Sequence, residues 1–405
     1  MKIKFKNNYD LFFIFLILFF HFLYLSSFYK LPIYAVYDYY LKTPSDLRDF
    51  FWYPSKAFLE KVNIFETYLH DYNFRSYPPG FVPPNYSILH TLIFIPFGFL
   101  PFSLSKIFYL FINLILLFNI YKKLRDTLYV KNKRFFLCFC IFLISPTLML
   151  CLKLGQYSIF CLWGFVIYFT AKNLHFIKLI SLLIATAKYT FLPIIGLYLL
   201  LEKKYKIFFF ITLTNIIAIM IYSIYFDISI LSAIVAPITM GWKTQAIGAG
   251  DLLSFLGNHP QFPFNIVVVA LIFFFLKYFI YFNTKRIIVF DLILICVLSL
   301  MSFKHLNYDY ILVFPAILLI FEKISNKSKI ILSCIIFYFL FILPCFLIEP
   351  IRYTKYFIFF NLSLNLILLT IALELILKKN FLNFLYKKYN KKWLKKICII
   401  KLDRV

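Results

Sequence analysis

Acidic residues are scarce in this chain. Asp and Glu total 17 against 43 Lys and Arg, a formal charge of +26 over 405 residues. Such an excess of cations invites a nucleic-acid partner. The cations, however, gather in short loops and at the C-terminus, which is the pattern of cytoplasmic loops in membrane proteins, so nucleic acid is set aside. Glycine (9) and tryptophan (4) are few while Lys, Ile, Asn, Phe and Tyr abound, a bias of AT-rich coding that says nothing about function. The apolar runs do not alternate with polar residues, which excludes a β-barrel. No metal-ligand spacing occurs, and no metal or cofactor is expected. The eight Cys lie mostly inside apolar runs and none falls in the longest polar loop, which argues against disulfides. There is no sequence repeat and no segment with the composition of a soluble domain.

What is present is apolar surface. The chain is 63% hydrophobic with a mean hydropathy of +0.85, whereas a soluble domain is about half apolar. Stretches of about 20 apolar residues recur throughout, so the expected fold is an all-α polytopic membrane protein with about 10–12 transmembrane helices. Lys2, Lys4 and Lys6 precede an apolar run from Leu11 to Tyr29. The run is too long for a signal-peptide core and no small-residue cleavage site follows it. It reads as a first membrane helix with a cytoplasmic N-terminus, which puts the long loop Pro44–Pro84 outside. Tyr86–Pro101 is short and proline-rich, and reads as a juxtamembrane or re-entrant helix on the outer side. Phe102–Tyr121 returns to the cationic loop Lys122, Lys123, Arg125, Lys131, Lys133 and Arg134. Phe135–Cys151 goes out, Lys153–Gln156 turns, and Tyr157–Ala171 comes back.

The run Leu179–Leu201 is basic at both ends and is interrupted by Lys188 and Pro193. One simple crossing would violate the charge rule. Two half-helices in a hairpin, with Lys188 near the tip, satisfy it, and broken membrane helices mark substrate sites. Further crossings are expected at Ile207–Ile224, Phe264–Phe282, Ile287–Phe303, Ile311–Phe321, Ile330–Ile348 and Tyr356–Leu377, with a second outer loop at Tyr225–Pro263. Residues 1–377 thus read as one transmembrane domain, of which 30–101 hold the outer loop and its juxtamembrane helix. Residues 378–405 are a basic cytoplasmic tail drawn to anionic lipid.

The outer face collects Asp46, Arg48, Asp49, Tyr53, Lys56, Arg75, Gln156, Lys243, His259 and the stretch Lys304–Asp309. A carboxylate pair among cations facing a membrane suits chemistry on a lipid-linked phosphate. A carboxylate deprotonates an attacking hydroxyl, and cations meet the charge on a departing phosphate. A solvated ion pair between Asp49 and a neighbouring cation is the plainer reading of the same residues. Asp46, after Pro44-Ser45, fits a helix cap equally well.

Asp49-Phe-Phe-Trp-Tyr53, Ala57 and Tyr68 resemble the DFxxYxxA…Y opening of glycosyltransferase family 87, polyprenol-phosphate-mannose-dependent α-mannosyltransferases of the GT-C superfamily. Tyr77-Pro78-Pro79 with Pro96 and Leu100-Pro101 resembles that family's YPP…P…LP block. Gly155-Gln156 resembles its GQ turn, Ala187-Lys188 with Pro193 its K…P segment, and Ser302-Phe-Lys-His305 its SWxH motif. The chain departs from the pattern in lacking the glycine between Ala57 and Tyr68, and in Phe303 and Leu306. The resemblance implies a GT-C-type fold and a hexosyltransferase of a bacterial inner membrane with both termini cytoplasmic. A hexose, mannose by analogy, would pass from a polyprenyl-phosphate sugar to a lipid-linked or glycan acceptor, with inversion. It implies Asp49 as general base, with Asp46 as its substitute. Lys188, His305, Lys304, Gln156, Arg75 and Tyr53 are the expected substrate contacts. The rivals are a lipid-linked-oligosaccharide flippase, an O-antigen polymerase or ligase, and an inactive scaffold. A flippase predicts repeated halves, and a polymerase predicts its large loop late in the chain. Neither feature is visible.

Overall fold

Among the residues described by the computed structural model, every regular element is helical. The structure describes residues 46–65, 86–128, 133–143, 145–171, 175–243, 288–302 and 307–323, and no strand occurs among them. A π-helical turn, Leu47–Trp52, leads into α1 (Tyr53–Leu59). Then come α2 (Ile88–Gly98), α3 (Phe102–Leu128), α4 (Lys133–Leu143), α5 (Pro146–Leu154) and α6 (Ser158–Thr170). They are followed by α7 (His175–Thr186), α8 (Leu192–Leu201), α9 (Tyr205–Phe226), α10 (Ile230–Lys243), α11 (Ile288–Ser302) and α12 (Phe314–Lys323).

The hub is α6. Its sequence, SIFCLWGFVIYFT, is apolar on every side, and all of it but Trp163 and Thr170 is buried. A helix apolar all round must be enclosed. It packs against α3, α7 and α11 and the short 3₁₀ turn Asn307–Val313. Gly164 permits the closest of these crossings, because a Cβ there would collide with the Ser181 carbonyl and with Ala185. On the periphery, α9 buries only Ile211, Ala218, Tyr222 and Ser223. Phe209, Leu213, Ile217 and Ile224 are exposed around it. Exposed apolar residues along a whole helix are what a lipid environment permits.

Among the described residues two helices are long and apolar enough to cross a membrane, Phe102–Thr127 and Tyr205–Phe226. A third candidate is the broken pair Phe176–Thr186 and Tyr189–Leu201, bent by 108°. The expected interruption at Lys188 is therefore present as a sharp bend. Two expectations need correction. Phe135–Cys151 is not one helix but two, divided where Pro146 opens α5 and the Ser145 hydroxyl accepts from the Leu148 N–H at 3.4 Å. A proline supplies no amide N–H to the preceding turn, so a new helix starts there. The outer loop expected from Tyr225 is helical as α10 in its first part. Asp227 takes a left-handed φ of 53° to end α9, and Ser229 accepts from the Ser232 N–H at 3.0 Å to start the next helix. Leu11–Tyr29, Phe264–Phe282, Ile330–Ile348, Tyr356–Leu377 and the tail lie outside the described residues.

Candidate functional site

The first loop is pinned by Phe51, which is fully buried. Its ring meets His90 at 4.6 Å, Phe94 at 4.7 Å, Tyr109 at 5.0 Å and Tyr157 at 5.8 Å. Edge-on aromatic contacts of this kind are each favourable beyond the area they bury. Trp52 Nε1 donates to the Leu100 carbonyl at 2.8 Å. Gly98 lets α2 touch the backbone of Ser55 and Lys56, where a Cβ would come within 2.8 Å. Residues 46–65 are thus a fixed part of the helical core, not a solvated excursion. Their leading turn is π-helical, a rare conformation that recurs at functional sites.

That turn delivers three charged residues. Arg48 Nε lies 2.7 Å from Asp49 Oδ1, with both side chains buried. Asp46, at the entry of the turn, is half-buried. Burial and the adjacent Asp49 charge push its carboxyl up to about 8, with Asp309 adding to the rise and Lys188 opposing it. Near neutral pH, Asp46 therefore holds a proton. Tyr53, on α1, is half-buried against Trp52 at 5.3 Å. Desolvation raises its phenol above the ordinary value.

Lys188 arrives from the break between α7 and α8. Its Nζ donates to Asp309 Oδ1 and Oδ2 at 2.7 Å each. The Ser158 hydroxyl, at the start of α6, donates to the same carboxylate. All three residues are buried. The break is tied to α2 by Ser87, whose hydroxyl donates to the Ala187 carbonyl at 2.7 Å. Tyr86 places its ring 5.9 Å from the Lys188 ammonium and stacks on His90 at 4.4 Å.

Gln156 lies beneath. Gly155, with φ +71°, ends α5 and presses on Leu47, where a Cβ would come within 2.5 Å of the Leu47 Cβ. Gln156 Oε1 accepts from the Tyr86 hydroxyl at 3.2 Å, and its backbone oxygen accepts from the Tyr109 hydroxyl at 2.9 Å. Its Nε2 and both ring nitrogens of His90 have no hydrogen-bond partner among the described residues. Buried polar atoms left without partners are uncommon and call for a role.

The structure thus gathers Asp46, Asp49, Gln156 and Lys188 at one place, with Tyr53 on the adjoining helix. Arg75, Lys304 and His305 lie outside the described residues. Asp309, which the sequence places on the outer face without a role, and His90, which the sequence reading does not name, are the residues whose part in the site was missed. A lysine within an apolar segment needs a counter-charge, and that requirement points to an acid such as Asp309. His90 gives no comparable signal, since one histidine in an apolar helix usually packs. Among the described residues no group of three or more His, Cys, Asp or Glu could hold a metal ion. No protein-family model matches the chain, and no curated protein or solved structure is significantly similar to it.

Proposed function

We propose that the chain is a multi-pass membrane hexosyltransferase of the GT-C type, acting on the outer face of a bacterial plasma membrane. The observation that carries the reading is convergence. Segments resembling separate blocks of the family 87 pattern, around Asp49, Gln156 and Lys188, meet in one buried polar cluster inside an otherwise apolar helical body. Tyr86 links two of them, since its hydroxyl bonds Gln156 and its ring lies 5.9 Å from the Lys188 ammonium.

The chemistry follows from the groups. A polyprenyl-phosphate hexose brings an anionic phosphate to the membrane surface. Lys188 and Arg48 are the cations at the cluster, and each can meet charge as it grows on the departing phosphate oxygen. Asp49 takes the proton of the acceptor hydroxyl. The new bond forms from that oxygen to the anomeric carbon while the carbon–oxygen bond to phosphate breaks. Its electron pair stays with polyprenyl phosphate, and the sugar inverts. The Gln156 Nε2 and the ring nitrogens of His90, without partners among the described residues, can bond sugar hydroxyls.

The test is sugar transfer by the purified protein in lipid, from radiolabelled polyprenyl-phosphate mannose into a host lipid extract. Wild type should transfer, and Asp49→Asn should lose about 10²–10⁴-fold while keeping donor binding. Equal transfer by both would remove Asp49 from the chemistry. Silence of wild type with a full panel of prenyl-linked sugars would favour the flippase.

A further inference from the structure

Lys188 and Asp309 are 121 residues apart in sequence, yet Asp309 grips the ammonium with both carboxylate oxygens at 2.7 Å. Asp309 is 1% exposed. It sits on a 3₁₀ turn, Asn307–Val313, that packs directly on α5 and α6. The Ser158 hydroxyl on α6 fixes the carboxylate from the hub side. The flexible four-carbon stem of a lysine could otherwise let the charge swing out toward the interface. Here the stem leaves a chain break bent by 108°, and helical order alone would not aim it.

We infer that Asp309 is a positioning residue: backed by Ser158, it holds the Lys188 ammonium at the helix break, where that ammonium receives a lipid-linked phosphate. The phosphate in this statement rests on the proposed function; the Asp309–Lys188 hold does not.

Two measurements separate the parts. The first needs no ligand. The protein in nanodiscs is treated with an amine-reactive ester and Lys188 acylation is read by mass spectrometry. Asp309→Asn should raise Lys188 labelling by about tenfold or more, because a buried ion pair opens when one partner is removed. Glu60→Gln, at an exposed pair with Lys56 at 3.7 Å, should leave Lys188 labelling unchanged. Ser158→Ala should give a smaller rise, and it carries the test if Asp309→Asn does not fold. Unchanged Lys188 labelling in both variants would overturn the inference.

The second measurement uses farnesyl phosphate, with farnesol as its uncharged control. Asp309→Asn should weaken farnesyl phosphate binding about tenfold and leave farnesol unaffected. In a Lys188→Met background, Asp309→Asn should weaken it no further, because the carboxylate acts only through that lysine. Equal weakening in both backgrounds, or tighter binding in Asp309→Asn, would contradict a positioning role. If Lys188 is released as expected but wild type ignores farnesyl phosphate, the hold stands and the proposed function fails.

Discussion

The half-helix α8 runs between two lysines held in opposite ways. At its start, Lys188 meets a carboxylate directly, at 2.7 Å on both oxygens. Beyond its end, Lys204 is held by the hydroxyls of Tyr168 and Tyr198 at 3.2 Å each. Its nearest acid in that chain, Asp291, is one step removed and accepts from Tyr198 at 3.1 Å. Phenol hydroxyls donate and accept, so the Lys204 group forms a clasp joining α6, α8 and α11. The Lys188 group has different surroundings. Around it stand a proton-holding Asp46, an amide nitrogen of Gln156 and an imidazole of His90, the last two without partners among the described residues. A satisfied polar network stiffens a fold, whereas an incomplete one costs stability unless something else completes it. The comparison assigns structure to one end of α8 and ligand recognition to the other.

The largest effect that would break this contrast is at Lys188. Lys188→Met should reduce transfer about 10²–10³-fold, the usual consequence of removing a group that stabilises developing charge. Gly155→Ala comes next. Its positive φ and its contact with Leu47 leave no room for a Cβ, so the first loop must shift. We expect a loss of about 1–3 kcal/mol in stability together with a fall in transfer, read by thermal denaturation and kinetics.

A pH-dependent effect belongs to Asp46. Its folded value of about 8 lies above the ordinary 3.8, so the folded state holds a proton that the unfolded chain releases. That contribution is complete below about pH 4 and is lost as pH rises toward 8. Asp46→Asn should therefore flatten the decline in melting temperature across that window. The same ionisation adds negative charge to the site, so wild-type affinity for farnesyl phosphate should drop as pH passes about 8. An unchanged slope in Asp46→Asn would place the titration elsewhere. The smallest effect is at Lys204, where Lys204→Met should cost about 1 kcal/mol of stability and leave transfer within about twofold.

Much of this was readable in the chain because the signals are local. Basic residues at both ends of Leu179–Leu201, with Lys188 and Pro193 inside, demanded a break, and the bend is there. Gly155-Gln156 announced a turn, although not that the glutamine would be buried. The division of Phe135–Cys151 was written in Ser145-Pro146 but hidden by the apolar residues on either side. The helix after Asp227 is hidden in the opposite way: Trp242, Lys243, Asp251 and His259 make Tyr225–Pro263 read as an outer loop, although its first part is apolar. Asp309 and His90 lay beyond local pattern. Asp309 becomes significant only when a turn far along the chain folds onto α6, and His90 only when Phe51, Tyr86 and Tyr157 close around it.

The most direct measurement is farnesyl phosphate binding to the nanodisc-embedded protein, compared for wild type, Lys188→Met and Lys204→Met. The account predicts binding lost in Lys188→Met and kept in Lys204→Met. Equal affinity in all three would show that the cluster at the helix break is not where a lipid-linked phosphate is held.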